Sequence, residues 1–210
     1  MDPEACVYVV DDDRALLTAI ERVLSSSGYD VHTFSSPAFF IEQLSSQDAP
    51  ACLVLDLRMP ELNGLDVQEW LLSNGITIPT VFLSGAADVP TTARAMRKGA
   101  VDFLVKPVDE GELLDAVSRA LATAVESRRR RREAEQSTAR LARLTRRERQ
   151  VCELVARGLL NKQIAYELGT SEKTIKVHRG RVMQKLEVDS VAQLVWLLSR
   201  IPAVRQVAKD

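Results

Sequence analysis

In the first part of the chain, short apolar runs alternate with stretches whose apolar residues return every three or four positions. Cys6–Val10, Ala51–Leu55 and Ile78–Leu83 are runs of the first kind, the pattern of strands buried on both faces. Asp30–Phe34 and Val101–Val105 are two further strand candidates. Between them, residues 14–27 set Leu16, Leu17, Ile20, Val23 and Leu24 at helical intervals, and Gly28 stops the helix. Ser36 and Pro37 supply a cap and a first-turn proline for a helix running to about Leu44. Leu65–Leu72 and residues 88–98, stopped by Gly99, are the next helices, and another starts near Asp109. Strands alternating with helices predict a (βα)5 unit: a doubly wound, flavodoxin-like α/β domain with a parallel five-stranded sheet covered on both faces.

The pattern then changes. Residues 109–127 keep a helical apolar stripe through Leu113, Leu114, Val117, Leu121, Ala124 and Val125. Residues 126–143 are polar, carry Arg128–Arg132 and lack Gly and Pro, which predicts a solvated helical extension, with contact of the five arginines to DNA phosphate or acidic partners as the alternative. From Leu144 onward the spacing is helical throughout. Thr145 with Glu148 forms a capping box for Arg146–Arg157, and Gly158 ends that helix. Residues 161–168 form a short helix ending at Gly169, Ser171 caps the next, and residues 190–199 form the last. Two short helices joined by a glycine turn, the second lined with Lys and Arg, read as a helix-turn-helix. The expected domains are 1–122, a basic helical linker over 123–140, and an all-α unit of four helices over 141–210.

Composition sharpens this division. The 210 residues are 46% apolar and 27% charged, ordinary for a globular chain, and the net charge is only -1. Residues 1–122 hold 8 basic and 19 acidic side chains, a net -11, whereas residues 123–210 hold 20 and 10, a net +10. The basic half points to nucleic acid or another acidic partner. Three scattered cysteines, Cys6, Cys52 and Cys152, make neither a disulfide framework nor a sequence zinc motif, and with His32 they are expected to pack or to sit at the surface. No apolar run approaches the roughly 20 residues of a membrane span. The start of the chain, with Asp2 and Glu4, is unlike a signal peptide. A cytoplasmic protein without a membrane partner is expected.

Candidate chemistry lies where the predicted strands end. Asp11 and Asp12 follow the first, Asp56 the third, Ser84 the fourth and Lys106 the fifth. Parallel sheets bind ligands at these carboxyl ends. Converging carboxylates need a cation, and oxygen-only donors suit Mg²⁺ rather than zinc. No glycine-rich phosphate loop follows the first strand, which argues against binding ATP in that manner. An aspartate nucleophile, a divalent ion and a lysine suggest phosphoryl transfer to a carboxylate. Asp13 reads as a helix N-terminal residue.

VVDDD (9–13), LVLDLRMPELNG (53–64), VFLSG (81–85), KGAVDF (98–103) and Lys106-Pro107 together resemble the receiver domain of two-component response regulators. The resemblance implies that Asp56 accepts a phosphoryl group from a cognate histidine kinase. It implies that Asp11, Asp12, Asp56 and the backbone carbonyl of Arg58 hold Mg²⁺. Ser84 and Lys106 would engage the phosphoryl oxygens, Phe103 would be the switch aromatic, and Lys106-Pro107 would be a cis peptide.

The stretch 144–186, from LTRRERQ to VMQKL, resembles the LuxR-type DNA-binding domain of the NarL/FixJ family, and Arg58-Met59-Pro60 with the linker length leans to the FixJ branch. By that resemblance Thr174–Leu186 is the recognition helix. Lys176 and Val177 would face bases in double-stranded promoter DNA. Lys173, Thr174, Arg179, Arg181 and Lys185 would meet phosphates, with Asn161 and Lys162 at the preceding helix start. The chain departs from the pattern at Leu160, where a serine is usual, so that Asn161 is expected to cap that helix, and at Gly180, where relatives often place a base-reading side chain. Val177 as a core residue and His178 as a packed or capping residue remain alternatives. The implied whole is a phosphorylation-activated transcriptional activator that homodimerises, meets RNA polymerase, and is no enzyme beyond Mg²⁺-dependent phosphotransfer to its own Asp56. Two other classes stay open: a phosphatase-like enzyme, which would want an acid two residues after Asp56 where Arg58 stands, and a ligand-sensing LuxR-type regulator.

Overall fold

The first strand, β1 (Cys6–Val10), is buried along its whole length because helices cover both faces of the sheet it belongs to. Its side chains alternate between two cores. Val7 and Val9 pack with Leu17, Leu24, Val54, Val81, Leu83, Leu113 and Val117 on one face, and Tyr8 and Val10 with Phe40, Leu53, Leu55, Leu71 and Phe82 on the other. A computed structural model describes residues 5–44, 49–60, 62–85 and 89–201.

The elements follow in the predicted alternation: α1 (Arg14–Ser26), β2 (Asp30–Phe34), α2 (Pro37–Gln43), β3 (Ala51–Asp56), α3 (Gly64–Ser73), β4 (Thr80–Ser84), α4 (Val89–Arg97) and β5 (Asp102–Val105). All strand pairs are parallel, in the order β2-β1-β3-β4-β5. The order reverses between β1 and β3, the switch point at which such sheets open a crevice at their carboxyl ends. Asp13 caps α1 by accepting from the Ala15 and Leu16 N–H groups, and Gly28 turns out of it at φ 87°. β4 starts at Thr80, two residues after the predicted start, because Pro79 has no N–H for the ladder; its carbonyl still accepts from Leu53 N at 2.9 Å. The predicted start of α4 at residue 88 lies outside the described residues, as do 202–210 of the expected third domain.

The long helix α5 runs from Glu110 to Ala142 without a break. The chain divides within it into two compact units, residues 1–128 and 129–210. The stretch expected to be a solvated helical linker is helical and mostly exposed, and from Arg129 it groups with the second unit. Ser137 is buried, and Leu141 packs against the second unit's apolar cluster. Arg140 and Arg143 both pair with Glu187, and Arg200 pairs with Glu133.

The second unit adds α6 (Arg146–Ala156), α7 (Asn161–Glu167), α8 (Glu172–Leu186) and α9 (Val191–Ser199). Its core gathers Val151, Val155, Ile164, Ile175, Val182, Leu186 and Leu194. Ser171 and Ser190 cap α8 and α9 through their hydroxyls. Gly158 and Gly169, at φ 88° and 62°, make the turns that end α6 and α7.

Candidate phosphoacceptor site and DNA-binding surface

The four predicted strand ends meet. Asp11 follows β1, Asp56 closes β3, Ser84 closes β4 and Lys106 follows β5. Asp11, Asp56 and Ser84 are buried, and Asp12 is exposed. Lys106 Nζ lies 2.6 Å from Asp11 Oδ2 and 3.0 Å from Asp56 Oδ1, so one ammonium bridges two buried carboxylates. The Lys106 backbone is itself fixed, its N–H donating to Ser84 O at 2.8 Å, and Lys106-Pro107 is cis. Phe103 is half-buried, lies opposite Phe82 in the ladder and packs against the core. Arg58 is exposed just beyond Asp56, between buried Leu57 and Met59.

Burial raises Asp56 above the usual carboxylate range; the Lys106 hydrogen bond opposes this, and the Asp11 charge adds to it. For Lys106, burial works against the charged form, but hydrogen bonds to Asp11 and Asp56 outweigh it and raise its pKa. One oxygen each from Asp11, Asp12 and Asp56 lie within 4.8 Å of one another. Three carboxylates against one ammonium leave two negative charges uncompensated, the charge of one divalent cation. The all-oxygen donor set fits a hard ion such as Mg²⁺.

The sequence reading missed Gly64. A Cβ there would stand 2.4 Å from the Asp56 carbonyl oxygen and 3.2 Å from Leu57 Cα. Glycine lets α3 start directly against the strand end that carries Asp56, and Gly64 N donates to Leu57 O at 3.0 Å. Asn63 and Asp66 close a capping box at the same helix start.

In the second unit, α8 buries Ile175, Val182 and Leu186 and exposes Lys173, Lys176, Val177, Gly180 and Arg181. Those five recur at helical spacing, so they form one exposed stripe. Val177 is 49% exposed, which removes the core alternative, and His178 is half-buried, as the packed reading expected. Lys162 and Thr174 are exposed, and Thr174 Oγ1 shares a hydrogen bond with Ser171 at 2.8 Å.

One expectation, the α7 cap, changes, and three predicted DNA contacts have partners within the unit. Lys185 was a candidate phosphate contact, but its ammonium lies 2.6 Å from buried Glu148 Oε2 and 3.3 Å from Arg143 O. A desolvated carboxylate at the α6 start takes up the lysine from within. Asn161 does not cap α7: Leu160 occupies the cap position without a side-chain bond, and Gln163 Oε1 accepts from Leu160 N at 2.8 Å instead. Asn161 Oδ1 accepts from Arg179 Nη1 at 3.0 Å, so these two predicted DNA contacts are partners that join α7 to α8.

Comparison with known proteins covers both units. The response regulator receiver domain family matches residues 7–118, and the luxR family of bacterial regulatory proteins matches residues 142–198. The chain is 42% identical to the response regulator protein TmoT of Ectopseudomonas mendocina over 200 residues, 95% of this chain and 90% of that protein. It is 38% identical to the transcriptional regulatory protein FixJ of Azorhizobium caulinodans over 189 residues, covering 90% and 89% of the two chains. Among solved structures, that of the response regulator StyR is similar at a TM-score of 0.83 and 43% identity, covering 94% of this chain and 100% of the other. With both domain families matched and full-length relatives of this kind, the chain belongs to the two-component response regulators that join a receiver to a LuxR-type DNA-binding domain, and it is a transcriptional regulator.

Proposed function

We propose that the chain is switched by phosphorylation of Asp56. The observation that carries this reading is Lys106 bridging Asp11 and Asp56 next to Asp12, at the carboxyl ends of the strands. An Asp56 oxygen attacks phosphorus in a histidine kinase's phosphohistidine; the new O–P bond forms as the N–P bond breaks, and the imidazole keeps the electron pair. Asp11, Asp12, Asp56 and the Arg58 carbonyl would hold Mg²⁺, which neutralises charge on the phosphoryl oxygens when bound. Asp11 holds Lys106 in place, and Lys106 pairs with a phosphoryl oxygen once Asp56 is esterified. The Ser84 hydroxyl donates to another oxygen.

Ser84 moving towards the phosphoryl group frees space for Phe103 to turn inward, which reshapes the face of α4 and β5. Met96 and Val105, both close to half exposed, offer that face to a second copy. Homodimerisation then presents two DNA-binding units to paired half-sites of promoter DNA. On each, Lys176 and Val177 face bases, and Lys162, Lys173, Thr174 and Arg181 meet phosphates. Val195 and Trp196, exposed on α9, are candidates for a second dimer contact, and RNA polymerase is the expected partner of the bound activator.

Incubation with acetyl phosphate and Mg²⁺ tests the chemistry. One acid-stable, base-labile phosphoryl group per chain is expected. Asp56→Asn should abolish it, Asp12→Ala should slow its formation, and full labelling of Asp56→Asn would refute the assignment.

A further inference from the structure

The first unit holds a second set of ligating side chains that phosphotransfer does not use. Cys6 opens β1, Asp30 opens β2, and the parallel register sets them side by side, with Tyr8 against His32. Side chains alternate along a strand, so Cys6, Tyr8, Asp30 and His32 share one face of the sheet. One ligand atom each from Cys6, Asp30 and His32 lie within 4.8 Å of one another, and His32 Nε2 is 3.3 Å from Asp30 Oδ2. Cys6 is 2% exposed and forms the floor, while the His32 and Asp30 side chains are 47% and 51% exposed. An ion therefore has a route to the sulfur past two solvated ligands. The cluster joins β1 to the edge strand β2 towards their amino ends, away from the carboxyl ends that carry Asp11 and Asp56.

We propose that Cys6, Asp30 and His32 form a Zn²⁺ site with three protein ligands and an open fourth position. Thiolate, imidazole and carboxylate are the donor types zinc takes in proteins. A sulfur–nitrogen–oxygen set is foreign to Mg²⁺, which separates this cluster from the all-oxygen one at Asp56. Zinc binds the thiolate, so the Zn–S bond forms as the Cys6 proton leaves to solvent. In the free protein, burial pushes the Cys6 thiol up to about 11; a hydrogen bond from Tyr8 opposes this, and the Asp30 charge adds to it. A divalent ion offsets the burial cost and cancels the Asp30 charge. The ion would pin edge strand β2 to β1 and make receiver stability responsive to zinc, independently of phosphorylation.

Sequence spacing could not find this site. Cys6 lies far along the chain from Asp30 and His32, and only the β1–β2 register joins them.

The test is a titration of the full-length protein with Co²⁺, a spectroscopic stand-in for Zn²⁺, with Mg²⁺ in excess to occupy the Asp56 site. A thiolate-to-cobalt charge-transfer band should grow to saturation at one ion per chain, and Zn²⁺ should bleach it. Cys6→Ser should abolish the band. His32→Ala, at an exposed position, should weaken Co²⁺ binding by about tenfold or more and keeps the test decisive if Cys6→Ser folds poorly. Absence of the band in the unmodified protein would overturn the proposal. So would a band that survives Cys6→Ser, since Cys52 or Cys152 would then carry it, or unchanged affinity in His32→Ala.

Discussion

Replacing Lys185 with methionine keeps the length of the side chain and removes its charge from a carboxylate that has little water to turn to. The Glu148 side chain is 3% exposed; its Oε2 accepts from Lys185 Nζ at 2.6 Å and from Thr145 N at 2.9 Å. The Lys185 hydrogen bond is the largest cause holding Glu148 down at about 2 rather than 4.5, ahead of the Thr145 backbone bond. At about 1.4 kcal/mol per unit, that depression bounds the contribution at about 3 kcal/mol. Lys185 is 35% exposed, so solvent screens part of it, and Thr145 supplies a share. Lys185→Met should therefore cost the second unit about 2 kcal/mol at neutral pH. Folding lowers the pKa of Glu148, so this stability is complete above about pH 4.5 and drains as pH falls towards 2. The gap between variant and parent should close over that window. Urea unfolding in a Trp70→Phe background, where Trp196 alone reports on the second unit, measures it. The salt dependence of DNA binding should not change. Equal stability at pH 7, together with a salt slope lowered by about one, would refute the reasoning and return Lys185 to the phosphate-binding set.

Other substitutions separate the remaining roles. Gly64→Ala must part α3 from the Asp56 carbonyl, so it should destabilise the receiver by about 1–3 kcal/mol and slow Asp56 labelling, read by urea unfolding and acetyl phosphate kinetics. Gly180→Ala meets nothing within 4 Å and should stabilise the second unit by about 1 kcal/mol, read as a higher urea midpoint. Lys176→Ala should cost specific DNA binding about 1–3 kcal/mol and relax specificity at one position per half-site, whereas Arg181→Ala should weaken specific and nonspecific binding together and lower the salt slope by about one, both seen in binding titrations across salt.

The receiver site was legible because its residues end strands, and apolar strands announce their ends. Asp11, Asp56, Ser84 and Lys106 each close or follow an apolar run too short for a typical helix, and parallel topology brings such ends together. Gly64 was not legible as a positioning residue: a glycine before a helix reads as a turn, and only the fold sets the Asp56 carbonyl against it. The basic face of α8 was legible as a face, since Ile175, Val182 and Leu186 mark the opposite side. Periodicity could not show which cations hold partners on other helices. Lys185 and Arg179 are drawn to Glu148 and Asn161 on other helices, and partner choice across helices leaves no trace in spacing. The division inside α5 was hidden for a similar reason. Ser137 and Leu141 lie in a polar, arginine-rich stretch, and their burial depends on a core assembled from residues further along.

Sedimentation of the full-length protein with Mg²⁺, with and without beryllofluoride as a phosphoryl mimic, tests most directly whether Asp56 is the switch. The resting chain should be mainly monomeric, the chain with the mimic a dimer, and the Asp56→Asn variant monomeric in both conditions. A chain that remains monomeric with the mimic bound, or an Asp56→Asn variant that dimerises as readily as its parent, would contradict this.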